Sequence, residues 1–172
     1  MSYKQRLKHI KAFVFDVDGV FTDGSILLLP NEQMCRVMNV LDGYAVVKAL
    51  KEGYKIGVIT GGNDPMVKHR IHYLGIEDYY PKSSDKCIDY EDFKQKYSLE
   101  DAEILTMGDD LPDMGILQRS GIATCPPNAV QEVKAIVDYI SPISGGKGAV
   151  RDVIEQVLKI QGKWEIDETR SV

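Results

Sequence analysis

The sequence predicts an α/β fold in which helices cover both faces of a doubly wound, mostly parallel sheet. Short runs rich in β-branched and aromatic residues alternate with amphipathic stretches from one end of the chain to the other. Such alternation is typical of parallel sheets, because a helix usually makes the crossover between two parallel strands. A chain of 172 residues fits one such domain and is long enough to bury a sizeable core.

The strands are predicted from short apolar runs that are bounded by acids, threonine or glycine. These runs lie at 11–16, 55–60, 103–108, 121–125 and 137–141. Short runs of Val, Ile and Phe are consistent with strands that are buried on both faces, as in a parallel sheet.

The helices are predicted between these runs. Their ranges are 43–52, 64–74, 84–96, 111–119, 127–135 and 148–160. Ser83 and Ser84 fit the N-cap of the third helix, and Pro65 fits the first turn of the second. The run Gly145-Gly-Lys-Gly148 lacks the other residues of a phosphate-binding P-loop, and we interpret it as a flexible turn before the last helix.

One segment, at about 24–40, breaks the alternation and is predicted as a protruding β-hairpin. It follows the first strand, where a doubly wound fold would ordinarily continue into a helix. Two apolar arms, 26–29 and 34–38, flank a turn at Pro30-Asn31. Because a two-stranded hairpin is not stable alone, this one must lie on its own domain or on another subunit.

The composition argues against several classes of function. Hydrophobic residues make up 44% and charged residues 27% of the chain, and the formal net charge is -5. We therefore expect no nucleic-acid partner, which would need clustered positive charge. We also expect no membrane partner, because no apolar run approaches the ~20 residues that span a bilayer. Three scattered cysteines argue against disulfides and zinc, and residues 1–11 have no signal-peptide core, which favours the cytoplasm.

The segment 161–172 is polar, and we expect it to form a flexible tail beyond a single domain at 1–160. Its expected apolar anchors are Trp164 and Ile166. Such segments stay mobile unless they dock on the body of the domain.

Carboxylates and small residues converge on one edge of the predicted sheet. They are Asp16 and Asp18 after the first strand, Thr60 and Gly61 after the second, and Asp109, Asp110 and Asp113 after the third. Ligands collect at the carboxyl ends of parallel strands, so these groups predict a functional site. An isolated Asp-x-Asp after a strand usually marks a turn or a helix cap, but that reading does not explain acids at successive strand ends.

This set of residues suits phosphoryl transfer. Crowded carboxylates repel one another unless a hard cation such as Mg²⁺, which prefers oxygen ligands, neutralises them. A carboxylate such as Asp16 can attack phosphorus, and Asp18 can then serve as general acid and base. Thr60 and the amide of Gly61 can donate hydrogen bonds to the phosphoryl oxygens. Lys86, near the start of a helix, can balance the charge that spreads over those oxygens in the transition state.

Together these motifs resemble those of the haloacid dehalogenase superfamily. The matching residues are Asp16-Val-Asp-Gly-Val-Phe-Thr-Asp-Gly24, Thr60-Gly61, Lys86 and Gly108-Asp-Asp-Leu-Pro-Asp113. The first string and the stretch Gly145-Gly-Lys-Gly-Ala-Val-Arg151 are similar to a capless branch. That branch contains phosphatases of 3-deoxy-D-manno-octulosonate 8-phosphate and of a related nononate 9-phosphate. The likeness runs from about 10 to 161, and it implies a Rossmann-like fold without a cap domain.

The resemblance implies a role for each matching acid of the first and third motifs. Asp16 would be the nucleophile and Asp18 the general acid and base. The implied Mg²⁺ ligands are Asp16, the backbone carbonyl of Asp18, and Asp109. Asp110 matches the double-Asp pattern, and the resemblance gives it no firm role beyond contact with metal-bound water.

The remaining motifs are implied to handle the phosphoryl group. Thr60 and Gly61 would bind it, and Lys86 would pair with it while Asp113 holds the lysine in place. The resemblance also implies a homotetramer in which the hairpin helps neighbouring subunits to close over each active site. The alternative is a hairpin that only covers an edge of its own sheet.

The implied substrate is a small phosphorylated sugar acid. Arg70 can pair with its carboxylate through the guanidinium fork, or it can be a solvated residue of a helix face. Gly62 and Tyr73 stand where the nononate-type pattern has Glu and Lys, which favours the octulosonate ester. The alternatives are the nononate 9-phosphate and a non-catalytic binding module of the same fold. The presence of both nucleophile and general acid favours the enzyme.

Overall fold

The computed structural model describes residues 2–30 and 32–165 and contains eight β-strands within them. In chain order the strands are β1 Ala12–Phe15, β2 Leu27–Leu29, β3 Gln33–Cys35, β4 Lys55–Ile59, β5 Asp78–Tyr80, β6 Ile104–Met107, β7 Ile122–Cys125 and β8 Tyr139–Ile140. Six of them form one parallel sheet in the order β5-β4-β1-β6-β7-β8, and β2 and β3 form a separate antiparallel pair. The predicted fold class is confirmed.

Seven α-helices accompany the strands in the described ranges; the first precedes β1 and the last follows β8. They are α1 Tyr3–Arg6, α2 Val40–Lys51, α3 Pro65–Tyr73, α4 Lys86–Lys96, α5 Met114–Arg119, α6 Gln131–Lys134 and α7 Ala149–Ile160. The segments 7–9, 101–103 and 111–113 form single turns of 3-10 helix. The short elements α1 and β5 have no counterpart among the predicted elements, because they are too short for a periodic pattern to show.

The central strand β1 divides two hydrophobic cores. Phe13 and Phe15 pack with residues of α2 and α7 on one face of the sheet. Ala12 and Val14 pack with Phe93 of α4 and other residues on the opposite face. Since alternate residues of a strand point to opposite faces, one short apolar run supplies both cores. The chain adds β4 and β5 on one side of β1 and then β6, β7 and β8 on the other side, so the strand order switches sides at β1.

Two helix starts differ from the predicted ones because carboxylates and amides take the caps. The side chain of Asp85 accepts a hydrogen bond from the Cys87 amide at 2.9 Å, so α4 begins at Lys86 and neither serine is its N-cap. Asn39 accepts from the Leu41 amide at 2.9 Å and starts α2 earlier than predicted. The expected position of Pro65 in the first turn of α3 is confirmed.

The hairpin of β2 and β3 protrudes from the sheet as predicted. Leu28 pairs with Met34 across it, and the side chains of both strands are exposed. Leu28 is 74% and Val37 73% exposed, so residues 2–30 and 32–165 leave the apolar surface of the hairpin uncovered. The predicted turn residue Asn31 lies outside the described residues.

The run 145–148 forms a turn directly before the last helix, as predicted, and it packs against the loop after β1. Gly145 and Gly146 are buried, and the Gly146 amide donates to the Val20 carbonyl at 3.0 Å. A Cβ on Gly145 would lie 1.9 Å from the carbonyl oxygen of Gly19. Glycine is therefore required here by close approach of two backbones, which a sequence motif alone does not reveal.

The start of the expected tail is docked on the domain. The Gln161 side chain donates to the carbonyls of Leu7 at 2.9 Å and Ile10 at 2.8 Å, and Trp164 packs edge-on against Tyr44. Ile166 and the rest of the expected tail, 166–172, lie outside the described residues. No helix within 2–30 and 32–165 has the length and apolarity to cross a membrane.

Candidate active site

The site lies at the carboxyl ends of three adjacent parallel strands, at the point where the strand order switches from one side of β1 to the other. Asp16 directly follows β1, Thr60 follows β4, and Asp109 comes two residues after β6. These strands are neighbours in the sheet, in the order β4-β1-β6, so their ends meet at one edge. The location expected from the sequence is therefore the one that the structure shows.

Three carboxylates form a cluster at this edge. Oxygens of Asp16, Asp109 and Asp113 lie within 4.8 Å of one another. A Cβ on Gly19 would overlap the Asp109 carboxylate at 1.9 Å, so the cluster depends on a glycine that also adopts a φ of +84°. Among the described residues, Asp109 Oδ1 is buried without a hydrogen-bond partner.

The electrostatics of the cluster are those of a cation site. Burial and the charge of Asp113 raise the pKa of Asp16 to about 7, although Lys86 opposes the shift. Burial and the charge of Asp16 raise the pKa of Asp109 to about 7. Bringing in a divalent cation would satisfy the unpartnered oxygen and favour both ionised forms. The oxygen-only donor set fits Mg²⁺.

Lys86 is the first residue of α4 and lies between two members of the cluster. Its Nζ is 2.6 Å from Asp113 Oδ1 and 3.0 Å from Asp16 Oδ1, and the lysine is buried. Burial lowers the pKa of Lys86, but the two carboxylates outweigh this effect and raise it. The lysine therefore stays charged and points at the oxygen of the candidate nucleophile.

Asp113 is fully buried and organises the turn after β6. Its Oδ2 accepts hydrogen bonds from the amides of Asp109 at 3.0 Å and Asp110 at 3.3 Å, and its Oδ1 accepts from Lys86. The side chain thus fixes both the lysine and the backbone that carries Asp109. The Asp110 carboxylate instead accepts a hydrogen bond from the Leu111 amide at 2.8 Å, so its side chain takes no part in holding Lys86.

The phosphoryl-binding candidates follow β4. Thr60 is buried, and its Oγ1 accepts from the Gly62 amide at 3.1 Å. The Thr60 carbonyl accepts from the Ser83 amide at 3.0 Å, which holds the segment before α4 against this loop. Ser83 Oγ is buried and has no partner among the described residues. The sequence singled out Ser83 as a helix cap, whereas the structure places it beside Thr60 and Gly61.

Asp18 does not join the carboxylate cluster with its side chain. Arg36, directly after β3, donates from Nε to Asp18 Oδ1 at 2.6 Å and from Nη2 to Asp18 Oδ2 at 3.2 Å. The same guanidinium donates from Nη1 to Asp64 Oδ2 at 3.0 Å. Sequence reasoning missed Arg36, and the available signal was a single basic residue in an otherwise apolar arm of the hairpin.

The loop after β1 is held by one of its own side chains and by one from a distant part of the chain. Thr22 Oγ1 accepts from the amides of Gly19 at 3.2 Å and Gly24 at 3.1 Å. Asn128 donates to the Gly19 carbonyl at 2.9 Å and accepts from the Gly145 amide at 2.8 Å. Asn128 carried no signal in the sequence, because its role depends entirely on tertiary contacts.

Two adjoining cavities lie between the hairpin and the start of α3. The first, of about 620 Å³, is lined by 32–36 and 62–66. The second, of about 400 Å³, is lined by Arg36, Arg70, Met66 and other residues of the hairpin and α3. Arg70 is half-buried, with its guanidinium 5.6 Å from the centre of the Tyr73 ring. Arg70 thus borders a space large enough for a small ligand.

The fold and this cluster match a recognised class of enzymes. The family description "haloacid dehalogenase-like hydrolase" applies to residues 73–154, which include Lys86, Asp109 and Asp113. Among solved structures, one of 3-deoxy-D-manno-octulosonate 8-phosphate phosphatase from Moraxella catarrhalis contains a magnesium ion, a phosphate ion and KDO. It is 34% identical, covers 94% of this chain and 92% of its own, and has a TM-score of 0.90.

Two further relatives extend the likeness. The 3-deoxy-D-manno-octulosonate 8-phosphate phosphatase of Escherichia coli K12 is 33% identical over 97% of this chain and 89% of its own length. A cobalt-bound structure of the corresponding phosphatase from Haemophilus influenzae is 28% identical, with a TM-score of 0.88 over 92% of each chain. This chain therefore belongs to the haloacid dehalogenase-like hydrolases, in the family of the 3-deoxy-D-manno-octulosonate 8-phosphate phosphatases.

Proposed function

We propose that this protein is a Mg²⁺-dependent phosphatase that releases phosphate from 3-deoxy-D-manno-octulosonate 8-phosphate. The observation that carries the proposal is the cluster of Asp16 and half-buried Asp109 with Lys86 and Asp113, at the carboxyl ends of the neighbouring strands β1 and β6. The relatives named above act on this ester, and they match nearly the whole length of the chain.

In the proposed first step, Asp16 attacks phosphorus and the bond to the sugar oxygen breaks. Asp18 gives its proton to that oxygen, so the sugar leaves as an alcohol and Asp16 carries the phosphoryl group. In the second step, Asp18 takes a proton from water as the water attacks the aspartyl phosphate. Phosphate leaves, and both aspartates return to their starting states.

The chain's other residues orient the phosphoryl group and balance its charge. In the proposed mechanism Thr60 and Gly61 donate hydrogen bonds to its oxygens, and Lys86 pairs with it. Mg²⁺, held by the carboxylates of Asp16 and Asp109 and the backbone carbonyl of Asp18, supplies charge neutralisation and orientation when bound. Asp113 is committed to Lys86 and to two backbone amides, so we assign it to positioning.

For the sugar part, we propose that Arg70 binds the carboxylate of the substrate. Arg70 borders the cavity between the hairpin and α3, and an arginine fork suits bidentate pairing with a carboxylate. Gly62 lines the neighbouring cavity without a side chain, which leaves room beside the phosphoryl site. The lack of a Glu at 62 and a Lys at 73 supports the octulosonate ester over the nononate ester.

We also propose a homotetramer, with the hairpins at the interfaces. The exposed leucines of β2 support this, since uncovered apolar surfaces of this kind are typical of interaction sites. A cytoplasmic location is part of the proposal. It is supported by the three cysteines, which are all unpaired in the structure.

A panel of phosphate esters tests the proposal. We expect Mg²⁺-dependent phosphate release, fastest with the octulosonate 8-phosphate and slower with the nononate 9-phosphate and neutral hexose phosphates. Asp16→Asn should reduce the rate to background, because an amide does not attack phosphorus. Full activity of Asp16→Asn, or full activity in excess chelator, would rule out this mechanism. A preference for the nononate ester would contradict the interpretation of Gly62 and Tyr73.

A further inference from the structure

Arg36 is the one hairpin residue whose side chain reaches into the active site among those the structure describes. Its side chain is only 9% exposed, although it follows a strand whose own side chains are all exposed. All three of its donors that face the site are used, two on Asp18 and one on Asp64. A guanidinium so well shielded from solvent is stable only because these carboxylates pair with it.

Asp18 depends on this arginine for its orientation. Its side chain is 37% exposed and has no other hydrogen-bond partner within 2–30 and 32–165. A carboxylate with free rotation about its side-chain bonds spends little time in the one orientation that can hand a proton to a leaving group. A planar guanidinium that bonds both oxygens removes that freedom.

Arg36 is itself anchored on the other side. Asp64 accepts its Nη1 through Oδ2 at 3.0 Å, while Asp64 Oδ1 caps α3 by accepting from the Met66 amide at 2.8 Å. The arginine is thus tied to the N-terminus of a helix that packs on the domain. One continuous set of contacts runs from the hairpin through Arg36 to Asp18, and from Arg36 to α3.

The two bonds to Asp18 differ in length. The bond from Nε to Oδ1 is 2.6 Å long, whereas that from Nη2 to Oδ2 is 3.2 Å. A Cβ built on Gly62 would lie 3.9 Å from Oδ2 and from Nη2, so this weaker contact faces the glycine loop after β4. Together the two contacts fix the carboxylate in one orientation beside that loop.

We propose that Arg36 is a positioning residue for Asp18, which makes the hairpin part of the catalytic apparatus of its own chain. This inference rests on the proposed function, in which Asp18 protonates the leaving alcohol. Arg36 itself needs no contact with the reacting phosphoryl group.

The test compares two esters that differ in their need for a proton. The sugar of a sugar phosphate leaves as an alkoxide-like group that must be protonated. In contrast, 4-nitrophenyl phosphate releases a stable phenolate that needs no proton. Wild type, Arg36→Lys and Arg36→Gln are assayed with Mg²⁺ on the octulosonate 8-phosphate at steady state. The release of nitrophenolate is measured in the first turnover, before the later water attack contributes.

We expect both variants to lose at least about tenfold in kcat on the sugar ester, within the range that general acid catalysis contributes. KM should change by less than about twofold, and first-turnover nitrophenolate release should also stay within about twofold of wild type. Arg36→Lys, which keeps the charge but not the planar fork, should lose less than Arg36→Gln. Arg119→Lys, a surface arginine paired with Glu91, is the matched control and should match wild type on both esters.

Equal losses on both esters would assign Arg36 to general structure, and an unchanged kcat on the sugar ester would also overturn the proposal. A variant that fails to fold would be recognised by its melting temperature, and the second variant then decides. Wild-type protein without activity on either ester would instead refute the proposed function. Active wild type with fully active Arg36 variants would refute only the role of the arginine.

Discussion

Lys86 illustrates how single side chains in this site serve two partners at once. Its ammonium group is shared between a carboxylate that we propose attacks phosphorus and one that shapes the turn after β6. Removing either partner would leave a buried charge with half of its compensation. Asp16 and Asp109 have the opposite problem, because their negative charges lie close together. A bound cation would favour the ionised form of both.

Mg²⁺ should therefore stabilise the folded protein, and more so at high pH. Burial raises the pKa of Asp16 and Asp109 from 3.8 to about 7, so ionising them is more costly in the folded than in the unfolded chain. The metal-free protein loses stability as the pH rises through this range. We expect its melting temperature to be higher at pH 5.5 than at pH 8, and Mg²⁺ to raise it more at pH 8.

Differential scanning fluorimetry with and without chelator measures this effect. Asp16→Asn removes one of the charges and should reduce the pH dependence of the metal-free protein. A melting temperature that rises with pH in chelator would show that these carboxylates are not the dominant titrating groups.

Arg70 should distinguish substrates with a carboxylate from those without one. If it pairs with the sugar acid, Arg70→Ala should raise KM for the octulosonate ester by the equivalent of roughly 1.5–3 kcal/mol, as for other charged hydrogen bonds. An ester without a carboxylate should be almost unaffected. Lys68→Ala, which removes an exposed cation from the same helix, is the control. Equal losses on both esters would assign Arg70 to the packing of α3.

The residues that sequence reasoning identified share a local signature, and those it missed do not. Asp16, Thr60 and Asp109 follow apolar runs that predict strands, so their convergence could be anticipated from the parallel sheet. Arg36 and Asn128 act through partners 17 to 109 positions away. Their roles depend on how the hairpin and the loops pack, and no single-sequence pattern encodes that.

The buried run 145–148 makes one loop depend on another, and its glycines should be sensitive to small changes. A methyl group on Gly145 would meet the backbone of Gly19 at 1.9 Å, and backbone cannot swing aside as a side chain can. Gly145→Ala should lower the free energy of unfolding by about 1–3 kcal/mol, the usual cost of overpacking.

Gly62→Ala is the matched control for stability, since a Cβ there would meet no atom closer than 3.5 Å. It should change the free energy of unfolding by less than about 0.5 kcal/mol in a urea titration. Equal stability of the two variants would show that 145–148 accommodates a methyl group without the predicted cost of overpacking.

Strands with an apolar pattern were predicted, whereas an edge strand without one was not. The strands β1, β4 and β6 lie within the predicted runs because buried parallel strands need unbroken apolar sequence. The three-residue edge strand β5 contains Asp78 and two tyrosines, so it has no such pattern. Helix starts shifted by a few residues, because the cap is decided by which side chain reaches the first free amides.

The exposed hairpin should decide the assembly of the whole molecule. Leu28→Glu places a charge on its most exposed leucine and should dissociate the proposed tetramer, because burying an unpaired carboxylate at an interface is costly. Ile88→Glu, on an exposed apolar residue of α4, is the control and should leave the mass unchanged. Light scattering at assay concentration measures both. An active wild-type monomer would contradict the tetramer.

The contact between Gly145 and Gly19 also sets an order of events during synthesis. The loop that carries Asp18 is held by residues that the ribosome adds more than a hundred positions later. A nascent chain can pair β1 with β4 early, yet it lacks the segment that fixes this loop until 145–148 has emerged. Contacts between such distant positions close late and slowly. The reactive loop is therefore completed only when nearly all of the chain is available to shield it.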